Sequence, residues 1–240
     1  MAARPQTTSY NLAIETSGRI GSVALGRGSE LLETRSFSAD LRHGVEMMPT
    51  IDSLCRAQGL MPGQIGECYV SAGPGSFTGV RIGIIAARTL ALAGGVRIVR
   101  VPTLDVIAQN ALALDNPDVN LGVILDAKRG KVYAAAYLKQ NDTYVCTMSP
   151  AECDAAGFFE QLPRPAALTG EGIDYARQAV EQSGLAVLPE YTRRPRAEVV
   201  HQLGHARALQ GDFDNPRELV PIYIRRPEAE EVWRRRHPPA

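Results

Sequence analysis

The chain has 240 residues, 45% of them hydrophobic, and its 26 Lys and Arg residues are matched by 26 Asp and Glu residues. Residues 1–120 carry ten of each sign, leaving sixteen of each for 121–240, so neither half has the charge of a dedicated nucleic-acid binder or of an acidic disordered tail. No apolar run reaches the ~18 residues of a membrane span, Met1 to Tyr10 lacks the apolar stretch of a secretory signal, and Cys55, Cys68, Cys146 and Cys153 have no paired-ligand spacing; these features argue against a membrane protein, a disulfide-stapled secreted domain and a zinc finger, and reduced thiols in the cytoplasm are the expectation.

Residues 10–16 alternate and predict a first strand, with Gly18 and Gly21 in the turn behind it. Val23, Leu25 and then 31–37 continue as a β-meander. A helix is expected over 43–57, a strand over 67–71, a glycine-rich turn, and a helix over 79–93. A short strand over 96–101 and a helix over 103–114 close this part. The same order then returns about 110 residues later: strands over 120–126, 131–138 and 143–148, a helix over 151–161, a strand over 166–170 and a helix over 175–183. A last helix over 198–209 and a late strand over 219–224 follow. Two β-β-β-α-β-α units in tandem predict an α/β protein of two lobes. The lobes divide at 1–104 and 105–240, with the segment from about 216 onward free to return to the first lobe.

The strongest local feature is Ser71-Ala-Gly-Pro-Gly-Ser-Phe-Thr-Gly-Val-Arg-Ile-Gly83. Gly73 and Gly75 permit positive φ or close backbone approach, and Pro74 stiffens the turn between them. Ser76 or Thr78 can cap the helix that follows. No Gly-Lys-Ser/Thr is present, and Gly73, Gly75 and Gly79 are one residue too widely spaced for a dinucleotide fingerprint. The turn therefore reads first as a structural strand-to-helix connection, and second as an anion contact through Gly73, Gly75, Ser76 and Thr78.

The helix over 79–93 carries only Arg81, Arg88 and Thr89 as polar side chains. Arg81 and Arg88, seven apart, share a face. A helix apolar nearly all round needs cover on both sides, and another protein chain is the preferred cover for the face turned away from the sheet. Gly83 and the alanines are expected to let a partner helix approach. In the preceding helix Pro49 is expected to introduce a kink. Core packing accounts for Val45, Met48, Ile51 and Cys55, which leaves Met47 and Leu54 as candidates for contact outside the subunit.

Catalytic constellations are sparse. His201 and His205 have the i, i+4 spacing of a zinc protease helix, but Gln202 stands where the general base belongs. Two solvated helix histidines is the preferred reading, with a metal site using Glu198 as third ligand behind it. Glu15 and Asp126 end equivalent strands of the two units, a position from which paired acids could hold a metal–phosphate group. The arginine-rich stretch between Pro216 and Ala240, six Arg against four Glu, reads as a solvated end.

Taken together these residues resemble the TsaB family, the non-catalytic subunits of bacterial tRNA threonylcarbamoyladenosine synthesis. The resemblance runs through Leu12-Ala-Ile-Glu-Thr-Ser17, Ser22-Val-Ala-Leu25, His43 with Pro49, Gly73 to Gly83, Val101-Pro-Thr-Leu104, Asp126-Ala-Lys-Arg-Gly-Lys-Val-Tyr133 and Pro221-Ile-Tyr-Ile-Arg225. It implies an actin-like ATPase (ribonuclease H-like) fold that has lost its own catalysis. It implies a paralogous partner, TsaD, which transfers the threonylcarbamoyl group to the adenosine beside the anticodon of tRNAs reading codons that begin with A, and a small ATPase, TsaE, that binds the pair. ATP and metal are expected in those partners and none held tightly here; contact with tRNA is expected to be indirect or weak. The paralogue's two metal histidines correspond to His43 and Met47, so the metal pair is broken. Glu15 departs from the family's usual Asp, and the segment after Arg225 matches no motif.

The resemblance also implies that the partner meets the two first-lobe helices. The interface residues expected on them are His43, Met47, Leu54, Arg81, Ile82, Ile84, Ile85 and Arg88. In the absence of TsaD the same surface is available to a second copy of this chain. The rival from another class is an autonomous ATP-dependent kinase of the same fold, with Glu15, Gly73, Gly75, Ser76 and Thr78 around its phosphate site. The weaker rival is a metallopeptidase built on His201 and His205.

Overall fold

A computed structural model describes residues 10–114 and 119–224. Among the described residues there are ten strands in two five-stranded sheets. The first contains β1 (Tyr10–Glu15), β2 (Ser22–Arg27), β3 (Glu30–Ser36), β4 (Ile65–Ser71) and β5 (Arg97–Val101), in the order β3-β2-β1-β4-β5. The second contains β6 (Asn120–Lys128), β7 (Lys131–Gln140), β8 (Thr143–Cys153), β9 (Ala166–Thr169) and β10 (Ala186–Val187), in the order β8-β7-β6-β9-β10. In both sheets the first three strands form an antiparallel meander and the last two add in parallel. The parallel steps need crossover helices. These are α1 (His43–Ala57) and α2 (Phe77–Gly94) in the first lobe, and α4 (Ala155–Gln161) and α5 (Arg177–Ser183) in the second. This is the two-lobed α/β architecture that the tandem pattern predicts.

The lobes exchange their remaining helices. α3 (Thr103–Asn110) follows the first sheet but packs on β6, β7 and β8, while α6 (Ala197–Leu209) follows the second sheet and packs on β1, β2, β4 and β5. The chain thus returns to the first lobe at α6, ahead of residue 216. Each sheet is covered on both faces, and α3 touches α6 in the middle of the molecule. Strand periodicity sorts the cores: Leu12 and Ile14 of β1 face α1 and α2, whereas Ala13 faces α6 with Ala24, Tyr69 and Val200. Small residues are needed on that second face. A Cβ on Gly204 of α6 would come within 2.4 Å of the Tyr69 ring.

Several boundaries differ from the sequence reading. β8 runs through Cys153, and α4 starts only at Ala155, where the Asp154 Oδ2 accepts the Gly157 N–H at 3.1 Å. α3 ends at Asn110 and continues as a 3₁₀ turn over Ala111–Ala113. Residues 219–224 form no strand. Pro221 lacks an N–H and breaks the ladder, so the segment is held by its buried Leu219 and by the Ile222 N–H donating to Ala72 O at 2.7 Å. α2 has eighteen residues, long and apolar enough by length and composition to cross a membrane; it lies against β4, β5 and α1 in the first lobe. The arginine-rich stretch beyond Ile224 lies outside the described residues.

Candidate functional site

The glycine turn sits at the C-terminal end of β1 and β4, and its glycines are spent on packing. A Cβ on Gly75 would lie 2.5 Å from Ser17 O, on Gly79 2.0 Å from Thr16 O, and on Gly83 2.5 Å from the Thr16 Oγ1. Gly73 has φ +100°. Ser76 caps α2 by accepting the Gly79 N–H at 3.2 Å, and its own N–H donates to Ser17 O at 2.8 Å. The Thr16 hydroxyl donates to Gly79 O at 2.8 Å. Gly83 therefore serves β1 and β4, correcting its expected role at a partner helix.

Between the lobes lies a cleft of about 330 Å³. Gly75, Ser76 and Thr78 line one wall, with Ser17, Gly18 and Arg19; Asp126, Lys128, Glu171 and Tyr175 line the other. Glu15 does not open into it. Its buried carboxylate accepts the Ser17 N–H at 2.5 Å, the Ser17 hydroxyl at 2.7 Å, the Gly18 N–H at 3.1 Å and the Ser71 hydroxyl. Burial raises its pKa above the usual carboxylate value, and those donors act in the opposite direction. Asp126 accepts the Lys128 N–H at 2.8 Å and pairs with the Lys128 ammonium at 2.5 Å. The Lys128 ammonium also lies 5.3 Å from the Tyr175 ring centre, and the Arg19 guanidinium bonds the Tyr175 hydroxyl at 3.3 Å from the other lobe. Glu15 and Asp126 are thus each turned onto their own chain rather than toward a shared ligand. A nucleotide phosphate group, as in the kinase reading, does not fit this arrangement.

The surfaces of α1 and α2 require the largest corrections. On α1 the buried residues are His43, Met47, Ile51, Leu54 and Cys55, a stripe at i, i+4, i+8, i+11 and i+12. Met47 and Leu54 belong to the core and cannot form a free contact surface. Val45 and Met48, expected inside, are exposed at 67% and 52%. On α2, Ile84 is only 3% exposed and packs into the same core. Ile82 is half-buried against it and lies 3.7 Å from the Gly44 Cβ position, at the joint between the two helices. Arg81, Ile85, Arg88 and Leu92 recur at i, i+4, i+7 and i+11 on the outward face, with Ile85 62% and Leu92 63% exposed. Arg81 donates to the Tyr223 hydroxyl at 2.9 Å and lies over the Phe77 ring. Sequence reasoning missed Val45, Met48, Phe77, Leu92 and Tyr223 as surface residues.

A family model described as TsaD, tRNA N6-adenosine threonylcarbamoyltransferase, matches residues 37–233. The Bacillus subtilis (strain 168) tRNA threonylcarbamoyladenosine biosynthesis protein TsaB is 31% identical over 173 residues, covering 71% of this chain and 74% of the relative. The chain belongs to the TsaB family. The Escherichia coli (strain K12) TsaB is 33% identical over 131 residues, 55% of this chain and 56% of the relative. Among solved structures, YeaZ from Pseudomonas aeruginosa superposes with a TM-score of 0.76 at 25% identity, over 90% of this chain and 99% of that one.

Within the TsaB family frame, His43 has a structural task. Its Nε2 lies 3.1 Å from Gly18 O and its ring packs against Phe37, while Nδ1 is buried without a partner. Burial lowers its pKa. It braces the turn after β1 from beneath and does not reach the surface, which corrects its place among the interface residues. His201 is likewise buried, not solvated: it stacks on His205 at 6.3 Å and sits beside Tyr69. Glu198 pairs with Arg196 at 3.2 Å. No group of three or more His, Cys, Asp and Glu side chains suited to a metal ion occurs among the described residues.

Proposed function

We propose that this chain is a non-catalytic subunit of the machinery that places a threonylcarbamoyl group on the adenosine next to the anticodon of tRNAs reading codons that begin with A. Its task is to hold the transferase, TsaD, in an active arrangement. The observation that carries the reading is the apolar stripe left exposed on adjacent helices: Leu41, Val45 and Met48 at and along α1, and Ile85 and Leu92 along α2. Exposed apolar surface grouped on one face, with Arg81 and an aromatic pair at its edge, has the composition of a protein-binding surface. Membership of the TsaB family supports the pathway, and the paralogous family model that also matches supports a partner of related fold.

The closed geometry between the lobes fits a subunit without turnover of its own. Asn110 of α3 donates to Thr192 O at 2.9 Å and to Arg194 O at 2.7 Å, fastening the segment that leads from the second lobe into α6. In this reading ATP and metal belong to TsaD and to TsaE, tRNA contact belongs mainly to the partners, the same stripe pairs two copies of this chain when TsaD is absent, and the complex works in the cytoplasm.

The test is capture of purified TsaD by tagged protein carrying Met48→Asp or Ile85→Asp. Each change puts a charge into a contact that must desolvate, so retention is expected to fall at least about tenfold. Undiminished capture by both variants would remove the helix face from the account.

A further inference from the structure

The described residues end at Ile224, and the preceding Tyr223 sets that end against the outward face of α2. The Tyr223 hydroxyl accepts from Arg81 at 2.9 Å, and its ring centre lies 6.2 Å from that of Phe77. Behind it the chain is pinned by the buried Leu219 and by the Ile222 N–H on Ala72 O. Residues 225–240 therefore leave from the N-terminal end of the row Arg81, Ile85, Arg88 and Leu92. That row pairs exposed apolar side chains with two cations. Helix α2 contains no acidic residue, and neither Arg81 nor Arg88 has a carboxylate partner among the described residues.

The composition of 225–240 is complementary to this face. Its acids are Glu228, Glu230 and Glu231, and its large apolar pair is Val232-Trp233, which includes the single tryptophan of the chain. Order and reach agree as well. Arg88 and Leu92 lie about 10 and 16 Å beyond Arg81 along the helix axis. Glu228 and Trp233 follow Tyr223 by up to about 17 and 33 Å of extended chain. A path along α2 from Tyr223 thus brings the acids to Arg88 first and the tryptophan to Leu92 next. Arg234, Arg235 and Arg236 then arrive at the C-terminal end of α2, whose last turn has no basic residue of its own and whose dipole favours cations. The other terminal segment, residues 1–9, has neither an acid nor an aromatic ring.

We propose that residues 225–240 fold back along α2 and cover its outward face in the free chain, with Glu228, Glu230 and Glu231 against Arg88 and Trp233 against Ile85 and Leu92. The seat is a peptide-on-helix contact anchored by one aromatic side chain and steered by charge at its rim. It lies outside the core, so release of the segment leaves the packing beneath α2 unchanged. The seat itself requires no partner. Its consequence rests on the reading of this face as the TsaD surface: the segment then occupies that surface until the partner displaces it, and is autoinhibitory.

The experiment reads the emission of Trp233 in the full chain over a wide range of protein concentration. Wild-type emission is expected to lie to the blue of the urea-unfolded chain and to resist acrylamide quenching at every concentration. Leu92→Asp and Arg88→Glu should each shift it to the red and restore quenching, with circular dichroism unchanged. Leu209→Asp, at an exposed position of α6 on the opposite face of the sheet, should leave it in place. Arg88→Glu combined with Glu228→Arg, Glu230→Arg and Glu231→Arg should move the emission back toward the wild type. If Leu92→Asp does not fold, Leu92→Ser must give the shift. The proposal is overturned if wild-type emission coincides with that of the unfolded chain, if the folded α2 variants leave it unchanged, if Leu209→Asp shifts it equally, if the charge exchange restores nothing, or if neither Leu92 variant folds. A blue shift that appears only as concentration rises would also overturn it, because a second copy is then the occupant. None of these results involves TsaD, so capture of TsaD by the full chain stands or falls separately.

Discussion

Gly79→Ala tests whether the glycine turn serves the fold or a ligand. The added Cβ would lie 2.0 Å from Thr16 O, a backbone atom of the chain leaving β1, where ordinary contact begins near 3.4 Å. Thr16 cannot swing aside, so the start of α2 must retreat by more than an ångström. Overpacking of this kind costs about 1–3 kcal/mol. Retreat also weakens the Thr16–Gly79 hydrogen bond, worth about 1 kcal/mol. Against this, alanine is better in a helix than glycine by about 1 kcal/mol. The net is a loss of about 2 kcal/mol, or roughly 4–8 °C in Tm for a chain of this size. Gly94→Ala, near the other end of α2, is the control: the nearest atom to its Cβ position is 3.7 Å away, so only the propensity gain remains, about 0.5–1 kcal/mol. Thermal unfolding of the two variants should therefore shift in opposite directions. A neutral or stabilising Gly79→Ala would refute the packing argument and return the glycine to a ligand role.

Other outcomes follow from the same packing. Ile84→Asp and Ile85→Asp, one residue apart, should part company in solubility and thermal melts: the first buries a charge in the core and abolishes folding, while the second stays within about 0.5 kcal/mol of wild type. Gln109→Ala should lower stability by about 3 kcal/mol in urea titration, because the Gln109 amide bonds both Tyr144 N and Tyr144 O, at 3.0 and 2.9 Å, and both of these buried bonds are lost with it. His43 and His201 are held below their ordinary pKa of 6.5 by burial. The unfolded chain then binds more protons than the folded one below about pH 6.5, so these two residues make stability fall as pH drops through that point. His43→Gln should flatten the dependence of Tm on pH between 7.5 and 5.5; an unchanged slope would contradict it.

Much of the fold was legible because strand alternation and glycine punctuation are local signals. The limits of α1 follow from Arg42, His43 and the run to Ala57, and the order of both sheets follows from two repeats of one pattern. The phase of α1 was less visible. Six apolar residues at 45, 47, 48, 51, 54 and 55 spread over more than half the helix, so two stripes compete. Asp52 and Arg56, seven and eleven residues after Val45, pair at 2.9 Å on its side and mark that face as solvent-facing. His43, fixed to Gly18 O, sets the rotation in the fold. α2 has no such marker: Ile84 and Ile85 are chemically alike, and only the sheet decides which one is covered. Glu171 lay beyond sequence reasoning, since it meets a turn in the other lobe, at Gly18, more than 150 residues earlier. The β8–α4 boundary was legible in Asp154, whose capping role was outweighed by the helix-compatible Ala151 and Glu152.

Hydrogen–deuterium exchange on the chain with and without TsaD tests the central claim most directly. Added protection is expected over residues 41–48 and 81–92, with little change at the interlobe cleft or on α4 and α5. Protection centred on the second lobe, or none on α1 and α2, would contradict the assignment of the exposed apolar stripe as the partner surface.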